Sequence, residues 1–169
     1  MIRSTPLFVL VLASLFSGCG ANYTWKSSVP SEMRTVCVPT FRNESSISEA
    51  GAVATRQVLR EIQREGTFAI RNPGDAALEI QGVVKSVSMG VRAYDRATEM
   101  RMRVYDVSAT VEVSVVDKRR RKVLVDNRKY RPMVQATVGL DITTALRDAS
   151  GRLMEELARE VVDDLLNLK

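Results

Sequence analysis

Val107-Ser108-Ala109-Thr110-Val111-Glu112-Val113-Ser114-Val115 places an apolar residue at every odd position and a polar one at every even position. Side chains of a strand point alternately to opposite faces. The segment is therefore a strand with one buried face and one wet face, as in an antiparallel sheet covered on one side. Its flanks extend the sheet. Asp117 to Lys122 is a charged turn, and Val123 to Arg131 returns as a further strand that closes a hairpin. Upstream, Leu78, Ile80 and Val84 share one parity between Ala77 and Met89 and form the preceding strand. Thr35-Val36-Cys37-Val38-Pro39 alternates and stops at a proline, which predicts a short first strand.

The buried face needs a cover, and two amphipathic helices are available for it. Ala54, Val58 and Ile62 form a stripe flanked by Thr55 and Leu59, while Arg56, Arg60, Glu61, Arg64 and Glu65 point elsewhere. Ser46 or Ser48 can cap this helix, with Ser46 in capping-box register with Glu49, and Gly66 ends it. Asp141 can cap a longer helix in which Ile142, Leu146, Ala149, Leu153, Leu157, Val161, Leu165 and Leu168 recur at spacings of three and four. Arg152 with Glu156 and Glu155 with Arg159 are spaced as ion pairs on its outer faces. Gly151 lowers helix propensity by about 1 kcal/mol relative to Ala, which predicts a bend or a close packing contact. The expected fold class is α+β: a two-layer sandwich, two helices packed on one face of a four-stranded mostly antiparallel sheet, in the order β-α-β-β-β-α.

Composition narrows the chemistry. The chain has 169 residues, 45% hydrophobic and 27% charged, which suits a single globular domain with a short appendage. It contains no His, the residue most used for general acid/base work and zinc binding near neutral pH. Asp163 and Asp164 are adjacent and cannot face one helical site together, and Asp126, Asp141 and Glu112 have no visible base, nucleophile or metal partner. The expectation is a non-enzyme with no catalytic residues, no metal and no cofactor. Two cysteines, Cys19 and Cys37, exclude a disulfide framework if Cys19 is otherwise used, and Cys37 then packs as a small hydrophobe.

The N-terminus supplies that use. Arg3 precedes an apolar run from Leu7 through Phe16, followed by Ser17, Gly18 and Cys19. A run of about ten residues is too short to cross a bilayer and has the layout of a signal peptide. Leu15-Phe16-Ser17-Gly18-Cys19 resembles the lipobox of bacterial lipoproteins, with Phe16 standing where Leu is usual. The resemblance implies cleavage before Cys19, with N-acyl and S-diacylglycerol groups on it, palmitate among them. Several acyl chains at about 0.8 kcal/mol per buried CH₂ make a stable anchor. The expected organisation is a signal peptide over 1–18, a lipidated tether over 19–33 and a single α+β domain over 34–169. Gly20 after the cysteine, by resemblance to enteric lipoproteins, implies the periplasmic face of the outer membrane.

Two basic clusters are candidate anion sites. Gly90-Val91-Arg92-Ala93-Tyr94-Asp95-Arg96 and Met100-Arg101-Met102-Arg103-Val104 flank the loop between the middle strands. Met100, Met102 and Val104 have the wrong parity for the buried face. Either a bulge restores the register or an apolar strip lies exposed beside Arg92, Arg96, Arg101 and Arg103. Lys118-Arg119-Arg120-Arg121-Lys122 is the second cluster, either a solvated turn or a phosphate-recognition site. A net charge of +5 and a pI near 9.5 favour anionic partners only mildly, and nucleic acid is not expected with 5% aromatic residues.

The run Thr35 to Glu44, the helix after it, Ala76-Ala77-Leu78-Glu79-Ile80-Gln81-Gly82, the long hairpin and a final helix with Glu155-Glu156-Leu157-Ala158 and Val161-Val162-Asp163-Asp164-Leu165-Leu166 together resemble the LptE-like lipopolysaccharide-assembly lipoproteins. The resemblance lies in order and spacing and runs from Cys19 to the C-terminus, although Gly20-Ala21-Asn22-Tyr23 departs from the Gly-Tyr start common in the family. It implies a non-catalytic outer-membrane lipoprotein that plugs the LptD β-barrel and contacts lipopolysaccharide, with the two basic clusters as its candidate binding residues. The alternative is a periplasmic adaptor lipoprotein that regulates a peptidoglycan synthase or builds a secretion complex.

Overall fold

The computed structural model describes residues 29–94, 103–138 and 142–168. After a single 3-10 turn at Ser31–Met33 come β1 (Thr35–Cys37), β2 (Arg42–Asn43), α1 (Ala50–Glu65), β3 (Ala69–Ile70), β4 (Leu78–Tyr94), β5 (Arg103–Asp117), β6 (Lys122–Tyr130), β7 (Met133–Val138) and α2 (Ile142–Leu166). Two helices on one sheet make the expected α+β arrangement. The sheet itself corrects the strand count, which is seven rather than four; it is mixed, and its long pairings, β4–β5, β5–β6 and β5–β7, are antiparallel as expected. Its order is β3-β1-β4-β5-β6, with β2 also on β4 and β7 also on β5. β1 runs parallel to β3 and β4, and β2 runs parallel to β4.

The additional strands are fragments too short to show a period. Beyond Cys37 the chain passes Pro39 and rejoins the same edge of β4 as β2. Arg131-Pro132 interrupts the opposite edge in the same way, so β6 pairs with one half of β5 and β7 with the other. Proline has no N–H to give the ladder, but its carbonyl accepts a hydrogen bond from the Ala109 N–H at 3.2 Å.

β5 alternates strictly from Tyr105 to Asp117, with odd positions buried. β4 changes parity. Val84 faces Val111 while Ser86 faces Thr110, so Lys85 is an extra residue. Before it, Leu78, Ile80 and Val84 point inward; after it, Val87, Met89 and Val91 stand opposite Ala109, Val107 and Tyr105. A second shift at Arg92 sets Ala93 opposite Val104. The register question at this end is thus answered by bulges in β4 and not in β5, and Val104 keeps its outward parity; Met100 and Met102 lie outside the described residues.

α1 buries Ala54, Val58 and Ile62 as its stripe predicts, and Gly66 closes it at φ 82°, a left-handed conformation that glycine adopts without strain. Its start corrects the capping expectation. The N-cap is Glu49 with no side-chain hydrogen bond, and neither Ser46 nor Ser48 caps it. Asn43 organises the preceding loop instead, accepting from the Ser45 N–H at 3.1 Å and donating to the carbonyls of Ile47 at 2.8 Å and Ser48 at 3.1 Å. α2 buries Leu153, Met154, Leu157, Val161, Val162 and Leu165 against the same sheet face. Arg159 pairs with both Glu155 and Glu156, whereas Arg152 leaves Glu156 and donates to the Gln135 carbonyl at 3.0 Å. α1 follows β2 and α2 follows β7, strands that run in one direction, so the two helices return side by side and parallel.

Candidate anion-binding ends of the sheet

The two basic clusters lie at opposite ends of the β4–β5 pair. Leu78 faces Asp117 at one end, and Tyr94 faces Arg103 at the other. The fifteen residues of β5 from Arg103 to Asp117, rising about 3.3 Å each, separate the ends by about 45 Å. One small anionic group cannot engage both. At the far end Arg103 stands in the last register position of the pair, Arg92 is the bulge residue just before it, Val91 is 47% exposed, and Arg96 and Arg101 lie outside the described residues. Cys19 also lies outside them.

The near end is built in detail. Asp117 occupies an inward parity and is only 3% exposed, an unusual place for a carboxylate. It is satisfied by the turn itself: one oxygen accepts from the backbone N–H groups of Arg119 and Arg120, each at 2.9 Å. Arg121 then takes a positive φ of 51° to complete the reversal. Lys118 Nζ lies 3.2 Å from Glu79 Oε2 and also donates to the Pro73 carbonyl. Arg120 reaches back to Glu32, with Nη2 2.9 Å from Oε1, and its Nε lies 4.0 Å from Asp117. Glu32, Met33, Ala77, Asp117, Arg119 and Arg120 enclose a crevice of about 30 Å³.

Sequence reasoning treated the five basic residues as equivalent. Folding divides them. Lys118 and Arg120 are committed to internal ion pairs, while Arg119, Arg121 and Lys122 are exposed and carry no ion pair among the described residues.

The groups behind the turn are electrostatically settled. A hydrogen bond from Gln81 at 2.7 Å, then Lys118, lowers the Glu79 carboxyl below its ordinary value in spite of partial burial. Burial, then the Glu79 charge, raises the Cys37 thiol. Cys37 is 3% exposed, with its Sγ 3.9 Å from Glu79 Oε2, and so is both a packed small side chain and a poor nucleophile.

Two further features had no sequence signal. Tyr130 Oη donates to Asp164 Oδ2 at 2.6 Å, and Arg128 Nε lies 3.1 Å from the same oxygen, joining β6 to α2. A cleft of about 340 Å³ opens between the start of α1 and the first half of α2, with Ile47, Val53 and Leu146 as apolar walls and Arg147 among its lining residues. Glu112 pairs with Lys129 at 3.6 Å, and among the described residues no three Cys, Asp or Glu side chains gather as a metal site.

A family model described as "LptE: Lipopolysaccharide-assembly" matches residues 33–167. No curated protein matches the chain. Among solved structures, a neuraminyllactose-binding hemagglutinin homolog from Helicobacter pylori aligns with a TM-score of 0.52 at 10% identity, covering 81% of this chain and 85% of that one. A protein from Xanthomonas campestris aligns with a TM-score of 0.51 at 10% identity, covering 83% of this chain and 90% of that one. At such identities the likeness is one of fold alone.

Proposed function

Because the chain belongs to the LptE lipopolysaccharide-assembly family, we propose that it is an outer-membrane lipoprotein which assists lipopolysaccharide delivery to the cell surface as the non-catalytic plug of an LptD-type β-barrel. The observation that carries the reading is the extent of the family match, which begins in the 3-10 turn and ends beyond α2. In this reading residues 1–18 are removed, Cys19 carries the acyl anchor, 19–33 is the tether and 34–169 the working domain. Lipopolysaccharide phosphates meet the first basic cluster, Arg92, Arg96, Arg101 and Arg103, whose planar forks suit phosphate oxygens. The apolar Val91 beside them suits acyl chains or a barrel wall.

Capture of the mature protein from solubilised outer membrane tests this. An LptD-type barrel should be recovered with it. Recovery of a peptidoglycan synthase, or of the protein with itself alone, overturns the barrel partnership in favour of an adaptor. Intact-mass measurement tests the anchor separately: an unacylated Cys19 or a retained Met1 removes it.

A further inference from the structure

We infer that the Lys118–Arg121 turn and Lys122 dock on the anionic phospholipid headgroups of the leaflet that holds the chain's acyl anchor, so that the near end of the domain lies at that headgroup layer and the end at Arg103 is the part farthest from it, free to enter the barrel. The inference rests on the acylation of Cys19 proposed above, and it assigns the second basic cluster to a different ligand from the first.

The path of the chain carries it. The described chain begins at the near end: the Val29 carbonyl accepts from Arg34 Nε at 3.1 Å, the Arg34 carbonyl accepts from Ala69, and Glu32 is held by Arg120. Cys19 stands ten residues before Val29, and ten residues extend at most about 35 Å. The far end of the sheet is about 45 Å away. An anchor that leaves from Val29 therefore cannot be led to the arginine loop, and it brings the near end toward the bilayer.

What stands at that end fits a headgroup layer. Arg119, Arg121 and Lys122 are exposed and carry no ion pair among the described residues, and each basic residue close to an anionic membrane strengthens association by about fivefold. Val123, next along β6, is 51% exposed and offers an apolar side chain at the same level. The turn is also presented in one orientation. Asp117 fixes its backbone, Lys118 ties it to Glu79, and Arg120 pairs with Glu32 in the first described turn.

The test uses the acylated full-length mature protein in vesicles that carry a headgroup-attached quencher, with a fluorophore on Lys122→Cys; Cys37 is buried and Cys19 acylated, so neither competes for the label. In vesicles rich in phosphatidylglycerol the fluorophore should be strongly quenched, and a label on Met133→Cys, an exposed position midway along the sheet edge, should not. Quenching should fall by at least half in ~1 M salt, where the Debye length is about 3 Å, and on Arg119→Glu/Arg121→Glu. Flotation is scored in the same samples. Protein that floats with neutral and anionic vesicles alike, yet shows quenching insensitive to salt and charge reversal, overturns the docking alone. Protein that does not float with neutral vesicles overturns the anchor and the docking with it. Quenching that requires added lipopolysaccharide assigns the turn to that glycolipid and also overturns the proposal.

Discussion

The ring of Phe41 lies against the backbone of Gly82: a Cβ on Gly82 would fall 2.3 Å from Phe41 Cδ2 and Cε2. Phe41 is fixed from two other directions. Its N–H donates to Thr55 Oγ1 at 2.8 Å, that hydroxyl donates to the Gly51 carbonyl at 2.8 Å, and the Phe41 carbonyl sits where a Gly51 Cβ would be, 2.4 Å away. One aromatic residue thus joins the start of β2, the first turn of α1 and the middle of β4.

Gly82→Ala should therefore destabilise the protein by about 1–3 kcal/mol through overpacking, read as a lower denaturant midpoint with unchanged slope. In a Phe41→Ala background the same substitution should cost less, because the ring atoms it meets are gone. Equal costs in both backgrounds would show that the ring is not what the new methyl group strikes.

Gly151→Ala should act in the opposite direction. The glycine lies inside α2, and a Cβ there meets nothing within 4 Å, so neither the predicted close contact nor any break in the helix accompanies it. Removing the entropic cost of a mid-helix glycine should raise stability by about 1 kcal/mol, seen as a higher melting temperature.

Burial, then Glu156 and Asp164, raises the Glu160 carboxyl above its ordinary value of 4.5. The folded chain consequently holds that proton more tightly than the unfolded chain. Its contribution is most favourable below the ordinary glutamate range and is lost as pH rises through the raised value. Glu160→Gln should give a small rise in melting temperature at neutral pH that disappears in acid; the side chain is exposed, which keeps the effect small. A rise that persists unchanged in acid would point to a cause other than charge.

Cys37 should resist a thiol reagent in the native state and react at the rate of global unfolding, because it is buried and its pKa is raised above 9.0. Rapid native-state labelling, measured by mass, would place the thiol outside the core.

How much was legible depended on the range over which each signal acts. The alternation of β5 and the stripe of α1 are repeated over many residues, and both appear where expected. β2, β3 and β7 are two, two and six residues long and take their geometry from the strands beside them, so no period announces them. The Lys85 bulge is similarly silent: Ile80, Val84, Val87 and Met89 show a change of parity only once the partners on β5 are known. At the candidate sites, composition revealed two basic clusters and could not tell a paired cation from a free one, since the carboxylate that claims Arg120 is 88 residues away.

Local periodicity alone settled the class of the fold, because which side chains a strand or helix buries follows from its own repeat. The lipobox resemblance marked Cys19, and the clustering of basic residues marked the arginines, as the residues worth testing. Three-dimensional contact decided the rest: a seven-stranded mixed sheet, a buried Asp117 that shapes the turn, and Arg103 held about 45 Å from that turn, with Glu32 beside the turn. Those are relations between residues distant along the chain, and no local pattern encodes a distance that only packing creates.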